Sequence, residues 1–455
     1  MKTTTRLLGA FALSLLSGSV LAAATPQELA TLGTSLTPLG AEKAGNADGS
    51  IPEWTGGLPP NAGTVDANGY LADPFANEKP LFVITAANAE QYRARLSEGQ
   101  LAMFKRYPET FRLPVYPSHR TVGMPKEIYA AVHTSAEKVS LVEGGNGLQG
   151  FTDSRVIAFP IPKNGLEVVW NHITRYKGGN VFRASANAFP QRNGDYTPVQ
   201  MEDQVAFPAF VPDLPKEQAD NTLLMFKSVT TAPARLAGNV LLVRDTVDQV
   251  KEPRMAWQYN AGQRRVRRAP QIAYDSPGSN ADGTRTSDDY DMYNGSPDRY
   301  TWTLVGKKEM YIPYNNYRLA SPQVKYADIL KAGHTNQDLA RYELHRVWVV
   351  EGTLKEGMRH VYAKRRFYVD EDSWTIAASE LYDGRGQLWR VGQAMLMDEY
   401  HAQAPWYAFE ALYDLISGRY GVYGLMNEEK TWVKFGIPAS VNEYTPAALR
   451  TSGVR

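Results

Sequence analysis

The residues best placed to do chemistry lie in Met255-Ala256-Trp257-Gln258-Tyr259-Asn260-Ala261-Gly262-Gln263-Arg264-Arg265-Val266-Arg267-Arg268. Large apolar side chains alternate with smaller or polar ones, and a run of guanidinium groups follows one turn later. A period of two around a turn reads as a β-hairpin. With Ala261-Gly262 as its two-residue loop, Tyr259 faces Arg264, Trp257 faces Val266 and Met255 faces Arg268. Trp302 and Leu304, on another alternating strand, are expected on the same concave surface. The chemistry of such a surface is binding. An apolar tail would pack on the aromatics while an arginine met an anionic head group. The plainer alternative is a solvent-facing basic strand, with the aromatics in a core sealed by helices.

Other constellations fail on context. Gly145, Gly147 and Gly150 fit Gly-x-Gly-x-x-Gly, but Pro160 and Pro162 follow where a dinucleotide site needs a helix. Asn46 to Ile51 echoes a calcium loop whose end positions, Ala44 and Thr55, carry no charge, so it reads as a turn. Asp288, Asp289 and Asp291 read as a solvated loop. The seven histidines form no zinc-type pair, and His345 reads as a structural hydrogen-bonding residue. There is no Gly-x-Ser-x-Gly elbow and no P-loop. Zero cysteines exclude disulfides and thiol catalysis. No catalytic residue, metal ligand or cofactor is assigned, and the chain is read as a non-enzyme.

Positioning such a surface requires export and then a large sheet. Lys2 and Arg6 precede an apolar run from Leu7 to Leu21, and Ala22 to Ala24 follow. That order predicts a secretory signal peptide over residues 1–24, cleaved after Ala22 or Ala24. The run of about 15 residues falls short of the roughly 20 that a spanning helix needs. With no cysteine to acylate, the expected product is a periplasmic protein and not a lipoprotein. Losing Lys2 and Arg6 takes the formal charge from +1 to −1, so no global field recruits nucleic acid. The 26 tyrosines and 9 tryptophans suit strands and wet-edged grooves.

Along the chain, residues 25–138 read as an N-terminal arm with helices near Pro26 to Leu32, Asn88 to Tyr107 and Lys126 to Thr134. Ile51 and Trp54 are expected to anchor the arm. Residues 139–400 read as one strongly curved antiparallel sheet. Its expected strands include Arg155 to Pro160, Leu166 to Tyr176, Val181 to Ala186, Leu223 to Thr230 and a late series from Val347 to Met397. A helix at Thr335 to Leu344 interrupts them, and residues 401–455 form a C-terminal extension on the same domain. The class is α+β, with helices packed on a large sheet.

Several segments together resemble the family called domain of unknown function 1329. They are Gly45-Asn46-x-Asp48-Gly49-x-Ile51-Pro52-x-Trp54-x-Gly56-Gly57, Phe159 to Gly165 with Trp170-Asn171-His172, and Arg264 to Pro270. Asp289 to Gly295, Pro313 to Tyr317 and Glu343 to Trp348 complete the set. That family is similar to outer-membrane lipoprotein-sorting proteins of the periplasmic lipoprotein-carrier type. The resemblance implies an incomplete β-barrel whose concave face holds acyl chains. It also implies an RND-type exporter and an outer-membrane protein as partners. The expected function is a periplasmic binder or shuttle for a lipid-like or other apolar compound. The alternatives are an adaptor of an envelope export complex that holds no ligand, and an unrecognised periplasmic hydrolase.

Overall fold

The computed structural model of the protein describes residues 24–269 and 272–453. Apart from Ala24, the expected signal peptide lies outside the described residues. Among the described residues no helix is long and apolar enough to cross a membrane. Two small hairpin-like elements come first: β1 (Phe82–Ile84) pairs β2 (Leu113–Val115), and β3 (Ser140–Leu141) pairs β4 (Leu148–Gln149). The Gly145–Gly150 motif sits at this second pair, and no helix opens there.

The main sheet consists of two antiparallel meanders. The first runs β5 (Val181–Ala188), β6 (Val199–Ala206), β7 (Thr222–Ala232), β8 (Val240–Thr246), β9 (Met255–Asn260) and β10 (Arg265–Arg268). The second runs β11 (Tyr300–Pro313), β12 (Tyr342–Leu354), β13 (Lys364–Asp370), β14 (Ile376–Tyr382), β15 (Leu388–Glu399), β16 (Ala404–Asp414) and β17 (Tyr420–Leu425). They meet where β17 pairs β5 through Val422↔Ala188 and Leu425↔Ala186, while β18 (Lys434–Phe435) adds to β5 elsewhere. Strands β10 and β11 remain opposite edges, so the sheet is curved but open and no barrel closes. This is the expected class. Segment 401–455 supplies β16 and β17, which lie in the middle of the sheet.

From β12 to β17 the second meander is covered on both faces, and all seven residues of β14 are buried. Helix α1 (Pro26–Leu29) opens the arm, and α2 (Glu98–Arg106), α3 (Lys126–Ala136) and α4 (Gly165–Thr174) follow. One face packs against α3 and α4 through Ile128, Val132, Val169 and Trp170. The other packs against the arm and α2 through Ile51, Tyr70, Phe104 and Phe111. Gly165 lets α4 approach β11, since a Cβ there would lie 2.7 Å from the Thr303 carbonyl carbon. The arm is pinned as expected. Ile51 is buried, and the Trp54 indole donates to the Val122 carbonyl (2.9 Å). Arg120 and Arg346 donate to the carbonyls of Lys43 (3.1 Å) and Ala44 (3.0 Å).

Four expected elements are corrected. Leu166 to Tyr176 is helix α4 and not a strand. Asn164 caps it by accepting from the Glu167 amide (3.0 Å), and nearly every side chain along it is buried. A helix buried all round has no polar face, and its valines, tryptophan and isoleucine imitate a strand. Arg155 to Pro160 is irregular, because the Asn171 side chain takes both backbone groups of Phe159 that a ladder would need. The Asn88–Tyr107 stretch breaks at Leu96, whose extended backbone lets Ser97 and Gln100 form a capping box for α2. In Thr335 to Leu344 only the 3-10 turn Gln337–Leu339 is helical, and β12 begins at Tyr342.

Candidate binding cavity

Strands β7 to β9 of the first meander are closed on one face, and on the other carry a small cluster (Leu241, Val243, Ala256, Ile272) beside open space. Met225 and Val229 of β7, Val240 and Leu242 of β8 and Tyr259 of β9 turn toward Tyr444 and Leu449 of the C-terminal segment. Residues one step out of phase, Leu224, Phe226, Leu241 and Val243, turn the other way. There they form the apolar wall of a cavity of about 360 Å³. The facing wall comes from the end of α4, from segment 272–294 between the meanders, and from β16 and β17. Ile272 closes one side and Trp406 and Tyr407 another.

The charged side chains of the cavity, from that wall and from strands β5, β6 and β8 of the first meander, are paired with one another. Arg175 donates to both oxygens of Asp291 (2.5 and 3.0 Å), with the Lys177 ammonium 3.6 Å away. Arg183 gives its Nε to Asp203 (3.0 Å), and Arg254 pairs with Asp245. Arg285 lies between the rings of Tyr290 and Tyr423 (3.6 and 3.7 Å) and reaches Glu410 (3.4 Å). Burial alone would raise the Asp291 carboxyl, but Arg175 and Lys177 hold it well below the usual range. Burial, then Arg175, pushes the Lys177 ammonium down to about 7. Burial lifts the Glu410 carboxyl to about 7, against the incomplete opposing pull of Arg285.

The expected binding residues lie elsewhere, with Tyr259 the one among them that also touches the cavity. The hairpin loop is four residues long, with Arg264 in the left-handed region (φ 53°). Val266 therefore faces Tyr259, and Arg268 faces Trp257, two residues out of the expected register. A shift of two preserves the face, so Trp257, Tyr259 and Val266 do share one. That face is a small core beneath Tyr444 and Leu449, with Met255 half-buried at the strand's start. Arg264 and Arg268 are exposed. Trp302 and Leu304 sit on β11 at the opposite edge of the sheet. Trp302 donates to the Pro297 carbonyl (3.0 Å) and lies against Tyr293 and Phe367. The shared concave surface expected for them does not form. The lining residues that sequence reasoning missed, Phe226, Leu241 and Val243 above all, stand in the most continuous apolar runs, where either parity could have faced a ligand.

The aspartate-rich segment is also corrected. Asp288 and Asp289 are buried, not solvated, and bind Arg365 (2.5 and 3.2 Å). One group among the described residues could hold a metal ion: a nitrogen of His345 and an oxygen each of Asp370 and Asp372, all within 4.8 Å. Arg120 occupies both Asp372 oxygens (2.6 and 2.9 Å), and His345 Nε2 pairs with Glu343 (3.0 Å). Asp372 is thus held by a protein cation that also ties down the arm through Lys43, while Asp370 accepts only from Ser373 and Tyr314.

Fold and cavity define a class: an open, curved antiparallel sheet with one half sealed on both faces and the other half left hollow. The chain belongs to the family described as protein of unknown function (DUF1329), whose profile matches residues 83–450. An uncharacterized protein of Pseudomonas aeruginosa is 60% identical over 457 residues, covering all of both chains. Among solved structures, a domain named for outer membrane lipoprotein sorting, from Vibrio parahaemolyticus, is 12% identical. The match covers 63% of this chain and 98% of that one, with a TM-score of 0.43. A DUF1329 family protein from Desulfovibrio piger is 14% identical, covering 59% and 91%, with a TM-score of 0.40. A LolA superfamily protein from Nitrosomonas europaea is 11% identical, covering 62% and 98%, with a TM-score of 0.37.

Proposed function

We propose that this protein is a periplasmic carrier of a lipid-like or otherwise apolar molecule, and not an enzyme. The observation that carries the reading is the cavity of about 360 Å³, with an apolar wall from β7 and β8 facing a polar one. Its volume falls at the lower end of the range for small-molecule sites, roughly 300–1,000 Å³. An acyl chain in water costs about 0.8 kcal/mol per methylene, so a dry wall of this kind is enough to retain one. No bond need be made or broken.

Export by the Leu7–Leu21 segment, and the RND-type exporter and outer-membrane partner that the family resemblance implies, belong to the same proposal. Native mass spectrometry of protein taken from the periplasm, followed by lipid extraction, tests the core of it. The expected result is a co-purifying apolar ligand that is lost in Phe226→Glu. Protein that is empty as isolated and takes up no amphiphile would leave the ligand-free adaptor as the better reading. Cross-linking in intact envelopes that recovers neither membrane partner would remove the export-complex half.

A further inference from the structure

We infer, on the carrier reading above, that the bound molecule carries an anionic head group seated against Lys177 and Arg183. Five cationic side chains line the cavity (Arg175, Lys177, Arg183, Arg254, Arg285) against four anionic ones (Asp203, Asp245, Asp291, Glu410). Exposure separates them further. Asp203, Asp245 and Glu410 keep 4%, 1% and 7% of their side-chain surface. Asp203 Oδ1 and Glu410 Oε1 are buried and have no hydrogen-bond partner, so neither acceptor is exposed to a ligand. Asp291 keeps 22%, but Arg175 takes both of its oxygens. Arg183 keeps 21% and gives only its Nε to Asp203, which leaves its terminal nitrogens for an acceptor. Lys177 keeps 13%, donates to the Ile173 carbonyl (3.0 Å) and lies 3.6 Å from Asp291, whose oxygens Arg175 already takes, so its ammonium can still turn to a ligand's anion. A tail entering along Leu241 and Val243 therefore meets accessible cations, and a charge-assisted contact there is short and strong.

A proton balance follows. Lys177 is faced by Arg175, Asp291 and Asp245, and Glu410 by Arg285, Arg183, Arg175 and Asp291. Both groups titrate near neutrality. An added anion favours the protonated form of each, so binding at pH 7.5 takes protons up.

Calorimetry of the periplasmic protein with octanoate, octylammonium and octyl glucoside, each below micelle formation and in buffers of different ionisation enthalpy, tests this. Octanoate should bind about ten-fold more tightly than octylammonium, the difference that one charge-assisted contact makes. It should take up protons where octyl glucoside takes up none. Lys177→Met and Arg183→Gln should each erase most of that preference, while unchanged octyl glucoside affinity shows that the cavity is intact. If octylammonium binds as well as octanoate, or octanoate binding releases protons, the head-group inference falls and the carrier reading stands. If none of the three binds, the carrier reading falls and takes this inference with it.

Discussion

The two meanders are built alike and used differently. Each is an up-and-down antiparallel ladder, yet one is buried on both faces from β12 to β17, while strands β7 to β9 of the other border a cavity on one face. The arm, α2, α3 and α4 cover the former. The latter receives only the short C-terminal segment on its outer face. The charges follow the same division. Each of the four carboxylates of the cavity has a guanidinium partner. In the sealed half, Asp398 is fully buried with neither oxygen hydrogen-bonded, and Glu399 bonds only the Trp432 indole (2.7 Å). Acids with no guanidinium or ammonium partner thus occur in the closed half, beside arginine-paired ones such as Asp288, Asp289 and Asp372, whereas every carboxylate of the half that must stay open toward a ligand is paired.

The sharpest way to break this comparison is to truncate one large apolar side chain in each half. Trp374 is fully buried, stacks near Trp348 (6.2 Å) and donates to the Leu39 carbonyl (2.9 Å). Trp374→Ala should cost about 4 kcal/mol in urea unfolding followed by circular dichroism. Leu241→Ala, on a wall that already borders empty space, should cost about 2 kcal/mol or less while weakening amphiphile binding. Equal costs would mean that the cavity wall is ordinary core.

A second measurement concerns the unpaired acids. Burial raises the Glu399 carboxyl to about 8, from an ordinary value near 4.5. A raised folded-state value contributes stability below the unfolded value and loses it as pH climbs through the folded one. Glu399→Gln cannot ionise, so its stability relative to the unmodified protein should improve by about 3 kcal/mol between pH 5 and pH 8. A difference that stays flat over this window would show that His401, whose Nδ1 lies 3.6 Å from Glu399, stays charged and holds the carboxylate. The smallest effect is expected at Arg264→Ala and Arg268→Ala. Both side chains are exposed, so each should change stability by less than about 0.5 kcal/mol and leave octanoate affinity untouched.

Much of the architecture was legible in the sequence, because period-two patterning survives wherever one face is wet. That alternation holds at Met255 to Tyr259 in β9 and Tyr300 to Leu304 in β11, while Val240 to Val243 in β8 reads as a continuous apolar run. The patterning failed where burial is complete on every side, as in α4, whose Val168-Val169-Trp170 carries no polar face to mark a helix. The site was legible in kind and misplaced in position. The aromatic strip at Trp257 and Tyr259 does share one face with Val266, but sequence alternation cannot say which face of a strand is covered. That choice depends on Tyr444 and Leu449, nearly 200 residues away. Nor could spacing reveal that Asp288 and Asp289 would find Arg365, since the pairing depends on the meander's return.

The join between the meanders, only two bridging pairs wide, bears on whether this chain could ever be divided. By its ladders the molecule looks like two modules linked through residues 269–299. The cavity belongs to neither. Its apolar wall is in the first meander, while Trp406, Tyr407 and Glu410 are in the second, and Arg285 in the linker clasps Glu410 and Tyr423. A cut at the linker would leave each fragment with half a container and an unmatched buried charge. Gene fusions, truncations or domain swaps that respect the ladders would therefore still destroy the cavity, and the whole sheet has to be inherited as one piece.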